Sequence, residues 1–450
     1  MVFKRTAAFK PALILLCALI FLSTSCQPGN DGTGQRPAGQ FSLEELQADF
    51  SRLRSVLEDN HPDPLRYESA ADLAGLFDSA YASLRDGMAE AEFYRVTAPL
   101  VARFHCGHTQ LRHSGAFYNG LSASGRVLPL GIYLDNGRAY VDADYGSGSG
   151  VRLGSEVLAI DNEPMAGIVA RMMAGISADA RNESLKVRRL SREFYLHYLF
   201  WHGDAPSFAL QVRNPADGAD SLLQVAARPY AQVSQAAAAR FPWAGDLRIS
   251  SASGLAVLTV PTFVAGQNPN SRTFFNEAFQ GLNESGVERL IIDIRGNGGG
   301  DPDVSAALIA HLAERPFIYF KNGIGYPHLF AATEPDPVHF PGRVVVLIDG
   351  GCFSTSGHFC ALVRYLGLAT FVGETGGGTF RCHDNSFETV LANTGLRLRV
   401  ARTTFEAAVP DQDVSPGFRP DFRVYPGIDD VLAGRDAQME YAARLLRQGD

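Results

Sequence analysis

The sequence predicts a layered α/β domain with crossover helices, preceded by a helical N-terminal unit and a small β-rich unit. Three observations carry this expectation. From about Leu247 onward, apolar runs rich in Val and Ile ("GLAVLTVPTF", "VERLIIDIRG", "GRVVVLIDGG", "ATFVGET") alternate with helical stretches ("FFNEAFQGLNESG", "DVSAALIAHLA", "SGHFCALVRYLG"). From about residue 122 to 232 the pattern changes to short alternating strands and turns. Before that, from Phe41 to about His105, apolar residues recur at helical spacing. With 450 residues, 46% of them hydrophobic, the chain is long enough for two or three packed domains.

Taken in order, the chain opens with Lys4, Arg5 and Lys10 before an apolar run from Ala12 to Leu22, which is short for a membrane span and reads as an export signal. The run ends in "LSTSC", and a polar stretch rich in Gly and Pro follows to about Gln40. This pattern resembles a bacterial lipoprotein signal: residues 1–26 form the signal, Cys26 carries the lipid, and 27–40 form a flexible linker, with export without lipidation and a retained anchor as the alternatives. The expected location is a lipid-anchored, exported state in the periplasm or at the outer membrane.

Residues 41–121 read as a helical domain, beginning with Ser42 and Glu45 at capping-box spacing in "FSLEELQADF". In 122–232, "VLPLGIYLDNGRAYVDAD" reads as a hairpin turning at "DNG", and "LGSEVLAIDNEPMAGIVARMM" as a turn, a strand, a second turn and a short helix. Such a unit fits a peptide-binding module of the PDZ kind, which takes an extended chain end as an added strand, and fits other small domains as well. "QVSQAAAARFPWAGD" reads as a junction, so the α/β domain is expected over 233–450, with returning strands between 388 and 426.

The formal net charge of −8, with no basic stripe, excludes a nucleic-acid binder. Of six cysteines, Cys17 lies in the signal and Cys26 is the lipidation site. Cys106, Cys352, Cys360 and Cys382 remain, too few for a disulfide scaffold in a chain of this length.

Three stretches carry chemistry. In "VVVLIDGGCFSTSGHF" an apolar strand ends at a Gly pair before a helix, and presents Ser354, with Ser356 as the rival hydroxyl. Thr355 follows directly, so its backbone N–H and the helix dipole can face developing negative charge. In "LIIDIRGNGGGDPD" the glycines 298–300 let backbone N–H groups approach a ligand. The spacing is neither that of a dinucleotide loop nor that of a P-loop, and Asp301 and Asp303 would repel phosphate. In "HCGHTQLRH" three histidines fall at intervals of three and five, which fits no standard zinc signature. A general base at His108 suits the stretch better than a metal.

The order "CGHT", "DIRGNGGG", "VLIDGGCFSTSGHF", "ETGGGT" and "PGFRPDFRV" resembles the C-terminal processing, or tail-specific, serine peptidases, and within them the tricorn-protease-like branch that uses Ser, His and an acid. The resemblance implies a catalytic α/β domain of the ClpP/crotonase-like type behind a helical unit and a PDZ-like module. It implies Ser354 as nucleophile, His108 as base, and oxyanion contacts from Thr355 and from Gly298 or Gly299. Thr379 stands where a Ser-Lys relative would carry its Lys, and Cys106 replaces the Asp of the "DGHT"-like motif. The implied acid precedes the turn "GFRPD" and is Asp413, with Asp411 as runner-up. His358, His383 and Cys106 are placed as supporting residues around the site. No metal or organic cofactor is implied. The implied function is endopeptidase cleavage of exported polypeptides near their C-termini. The alternatives are an inactive peptide-binding relative and a serine hydrolase acting on a non-peptide ester.

Overall fold

The computed structural model describes residues 39–240, 248–252, 254–267, 270–411 and 416–448. The signal segment with Cys26, most of the linker, and Asp413 lie outside the described residues.

The Val/Ile runs form the sheet that the sequence predicts. Its strands run in the order Arg248–Ala252, Leu255–Thr259, Arg289–Asp293, Arg343–Ile348, Thr370–Gly373 and Phe422–Arg423. The first pair is antiparallel and the others are parallel. Alternation along each strand assigns its residues to two cores, as a sheet covered on both faces requires. Leu290, Ile292, Val344, Val346 and Ile348 pack under the helices Ser271–Glu284, Pro302–Ala310 and Thr355–Tyr365. Ile291, Val345, Leu347 and Val372 pack under the C-terminal helix Ala437–Arg447, through Ala442 and Leu446. The strands paired in register as Asp293 with Leu347 and Ile348 with Gly373 end on one side of the sheet, and the Gly-rich loops begin there. Ligand sites of parallel α/β sheets lie at that edge.

Upstream, helices Leu43–Asn60, Ala70–Ala82 and Glu90–Ala102 pack together. The first carries the expected capping box, with the Glu45 N–H on Ser42 Oγ and the Ser42 N–H on the Glu45 carboxylate. An antiparallel sheet follows, ordered Leu130–Asp135, Arg138–Asp144, Glu156–Ile160, Ser207–Arg213 and Asp220–Ala226. Its first hairpin turns at Asn136 and Gly137, both at positive φ, the pair a two-residue turn demands. Helices Glu183–Arg192 and Phe194–His202 lie between its third and fourth strands in sequence.

Two expectations about boundaries fail. The division at 232/233 falls inside the helix Tyr230–Arg240, whose Val233 and Ala237 join the N-terminal core; the alanine run in "QAAAAR" favours helix over a junction. The returning strands also divide between two partners. Arg381–Asp384 and Thr403–Ala407 pair with each other in a small separate sheet, whereas the hairpin Phe387–Val390 and Arg397–Val400 pairs with Gln110–Arg112 and contributes Leu398 and Val400 to the N-terminal core. Residues 39–450 form one compact unit. Among the described residues no helix is long and apolar enough to cross a membrane.

Candidate active site

The strand Arg343–Ile348 ends in a turn that two acceptors hold. Asp349 Oδ1 accepts the N–H of Gly351 at 2.9 Å and that of Gly296 at 2.7 Å, so it ties the turn to the "RGNGGG" loop. The Asn297 side chain donates to the Val260 carbonyl and accepts the Gly299 N–H at 2.9 Å. Ser356 Oγ lies 2.8 and 2.9 Å from the two oxygens of Asn297 and is fully buried, which removes it as the rival nucleophile.

Ser354 begins the next helix at φ 57° and ψ −122°, a conformation that costs a non-glycine residue about 1–3 kcal/mol. The following helix, Thr355–Tyr365, leaves its first N–H groups without intrahelical partners. Among the described residues the N–H groups of Thr355 and Gly298 donate to no protein atom. Gly299 differs from the expectation: its N–H is engaged by Asn297. Its own place is steric, since a Cβ there would sit 2.7 Å from Phe353 O, 2.8 Å from Thr355 N and 2.9 Å from Ser354 Cβ.

The loop 105–109 approaches this turn from the N-terminal side. Pairing of Gln110–Arg112 with Arg397–Val400 fixes it, and Thr109 Oγ1 accepts the Ala401 N–H. Gly107 allows the approach, because a Cβ there would fall 2.5 Å from the Phe353 ring. The His108 ring packs against Phe353 at 4.6 Å, one residue before Ser354. Its Nε2 lies 3.5 Å from Asp384 Oδ2, and its Nδ1 is buried with no hydrogen-bond partner. Burial pushes the His108 pKa down to about 4; Asp384 opposes that and Arg399 and Arg189 add to it, so the ring is neutral at pH 7. No hydrogen bond joins His108 to Ser354 among the described residues. The Ser354 hydroxyl instead faces the Cys382 thiol, which burial holds well above its ordinary range and hence protonated.

Two acids outside the sequence motifs, Asp384 and Asp179, lie beside His108 and its loop. Asp384 ends the strand Arg381–Asp384, is about a third exposed, and is held by Arg399 at 3.2 Å and by the Ser386 hydroxyl. Asp179 is buried, accepts the Gly107 N–H at 2.7 Å, and is pushed up to about 7 by that burial. The only signal for Asp384 is its place beside His383 in "TFRCHDNS". Asp411, the runner-up for the acid, is exposed and pairs with Lys321 at 2.6 Å.

The remaining predicted residues surround this cluster. Cys106 is fully buried, with Sγ 3.7 Å from the His383 carbonyl, and burial pushes its thiol up to about 12. His358 Nε2 lies 3.6 Å from Cys382 Sγ, and His383 Nδ1 bonds Thr404 Oγ1 at 3.0 Å. His105 bonds Ala180 and Glu68, and His113 bonds Glu90, so both are structural. All four described cysteines are free. A cavity of about 730 Å³ adjoins Gly298 and Phe353, and Arg112, Arg188, Arg189 and Arg397 are among the residues that line it.

A hydroxyl held on a strained strand-to-helix turn, next to N–H groups with no other acceptor, is arranged to attack a carbonyl and to hold the charge that results. That defines the class as a serine hydrolase. Comparison agrees with that class: residues 254–424, the segment that carries Ser354, match the model of Peptidase family S41, a family of serine peptidases. Among solved structures, mature CPAF complexed with lactacystin superposes with TM-score 0.68 at 16% identity, over 90% of this chain and 98% of that one. Mature CPAF alone gives TM-score 0.67 at 15% identity, over 90% and 96%. The photosystem II D1 C-terminal processing protease gives 0.44 at 17% identity, over 89% and 97%. No curated protein matches the sequence.

Proposed function

We propose that the protein is an endopeptidase in which Ser354 attacks the scissile carbonyl, His108 takes the hydroxyl proton and returns it to the leaving amine, and the N–H groups of Thr355 and Gly298 hold the oxyanion. The observation that carries this reading is the strained Ser354 turn, with the buried, neutral His108 packed on its Phe353. Nδ1 is the ring nitrogen without a partner and takes the proton. Asp384 faces Nε2 and stabilises the imidazolium that forms, the part that an acid plays in a Ser-His-acid site. Asp384 thus stands in this proposal where the sequence reading put Asp413.

The substrate is a flexible polypeptide segment that carries carboxylates, a chain end among them. The arginine-lined cavity beside the oxyanion groups supports that preference. The antiparallel sheet of residues 130–226 serves as the PDZ-like module that presents the chain. Lipidation at Cys26 holds the enzyme at the outer membrane or in the periplasm, where its substrates are exported proteins.

Incubation of an unfolded polypeptide with the purified protein, with cleavage sites mapped by mass spectrometry, tests the reading. It expects cuts clustered toward the C-terminus that disappear in Ser354→Ala. Cleavage that persists in Ser354→Ala contradicts the assigned nucleophile, and cuts spread evenly along the chain contradict the C-terminal preference.

A further inference from the structure

We propose that Cys106, His108 and Asp179 form a binding site for a thiophilic divalent cation of the zinc class, and that the bound ion switches the peptidase off reversibly by occupying His108. Each residue offers one ligand atom, and the three atoms lie within 4.8 Å of one another. The residues are 0%, 8% and 4% exposed. Two atoms of these residues, His108 Nδ1 and Asp179 Oδ2, are buried with no hydrogen-bond partner, an arrangement that is costly in a folded protein and that a cation relieves.

The surroundings match those of a metal centre. The other nitrogen of His108 faces a carboxylate, Asp384 at 3.5 Å, which is the partner that a metal-bound histidine usually has. The other oxygen of Asp179 is fixed by the Gly107 N–H at 2.7 Å. One sulfur, one imidazole and one carboxylate form a donor set for zinc rather than for magnesium or calcium, and three protein ligands leave a fourth position for water. As the metal–sulfur bond forms, the Cys106 thiol proton passes to solvent. The ion takes Nδ1, the nitrogen assigned to the Ser354 proton, so binding and catalysis exclude each other. Binding stands without the proposed mechanism, whereas the switching-off rests on it.

The test is a cobalt(II) titration of the metal-stripped full chain, read as thiolate-to-cobalt charge-transfer absorption, on the wild type and on Ser354→Ala. Both are expected to bind one ion per chain and to develop the band. Cys106→Ser is expected to lose the band, and Asp179→Asn, which keeps the acceptor for Gly107, to bind roughly 100-fold more weakly. In parallel, the zinc concentration that halves peptide hydrolysis, measured against each variant's own uninhibited rate, should rise by a similar factor. Absence of the band in folded wild type overturns the site. Equal zinc inhibition of the wild type and both variants places the inhibiting ion elsewhere and overturns the switch. If wild type binds cobalt and hydrolyses nothing, the site stands, and the peptidase reading and the switch fail together.

Discussion

His108 shows how burial sets chemistry at the scale of one residue. Enclosed by Phe353 and the loop 105–109, the imidazole loses its proton more readily than a histidine in water, so the base form is fully populated at neutral pH. The acid limb of kcat/KM is therefore expected near pH 4 rather than near the ordinary 6.5, and a pH profile of peptide hydrolysis checks it. Asp384→Asn removes the carboxylate that stabilises the imidazolium and should lower kcat about 10- to 100-fold with KM little changed, the equivalent of one hydrogen bond to a charged group. The roles proposed for His108 and Ser354 rest on the order of motifs along the chain, since a lone Ser in a Gly-rich turn or a lone His is more often structural. Asp384 was not legible in the sequence: its position depends on the pairing of Arg381–Asp384 with Thr403–Ala407, and no local spacing encodes that contact. Asp411 was an available acid in sequence, but it is exposed and paired to Lys321.

At the scale of elements, two loops at the ends of neighbouring parallel strands are joined by single side chains. Asp349 and Asn297 make that join, and Gly299 lets the loops touch. Gly299 has φ 95°, so Gly299→Ala adds strain of about 1–3 kcal/mol and drives a methyl group into the Ser354 turn. The expected result is a lower Tm together with a fall in kcat, whereas an unchanged kcat would show that the turn tolerates displacement. The sheet itself was readable, since Val/Ile runs buried on both faces leave an unbroken apolar signal. The hairpin 387–400 was not readable as part of the N-terminal core. Its apolar residues satisfy either sheet equally well, and the choice is made by Asp49, which accepts the N–H groups of Asn393 and Thr394 and the Thr394 hydroxyl.

For the whole molecule, buried histidines govern the response to acid. Burial lowers His61, His108 and His197 to about 4 and His358 and His383 to about 3. Between the ordinary 6.5 and those values the unfolded chain binds more protons than the folded one, so stability falls as pH falls through that window. Asp179 and Glu374, raised to about 7 by burial, act in the opposite direction: their contribution is complete below the ordinary carboxylate range and is lost as pH rises through 7. Burial also lowers His113, His202 and His311 and raises Asp135 and Glu193, so eight histidines against four acids predict a lower Tm at pH 5 than at pH 7.5, which thermal melts in matched ionic strength would measure.

Activation of Ser354 by His108 joins two side chains that are not hydrogen-bonded to each other in this structure. It is tested most directly by labelling the purified protein with a fluorophosphonate probe and mapping the modified residue in the wild type and in His108→Ala. Modification at Ser354 in the wild type and its loss in the folded variant are expected. Labelling of Ser354 that survives in His108→Ala, or no labelling of folded wild type, would contradict that activation.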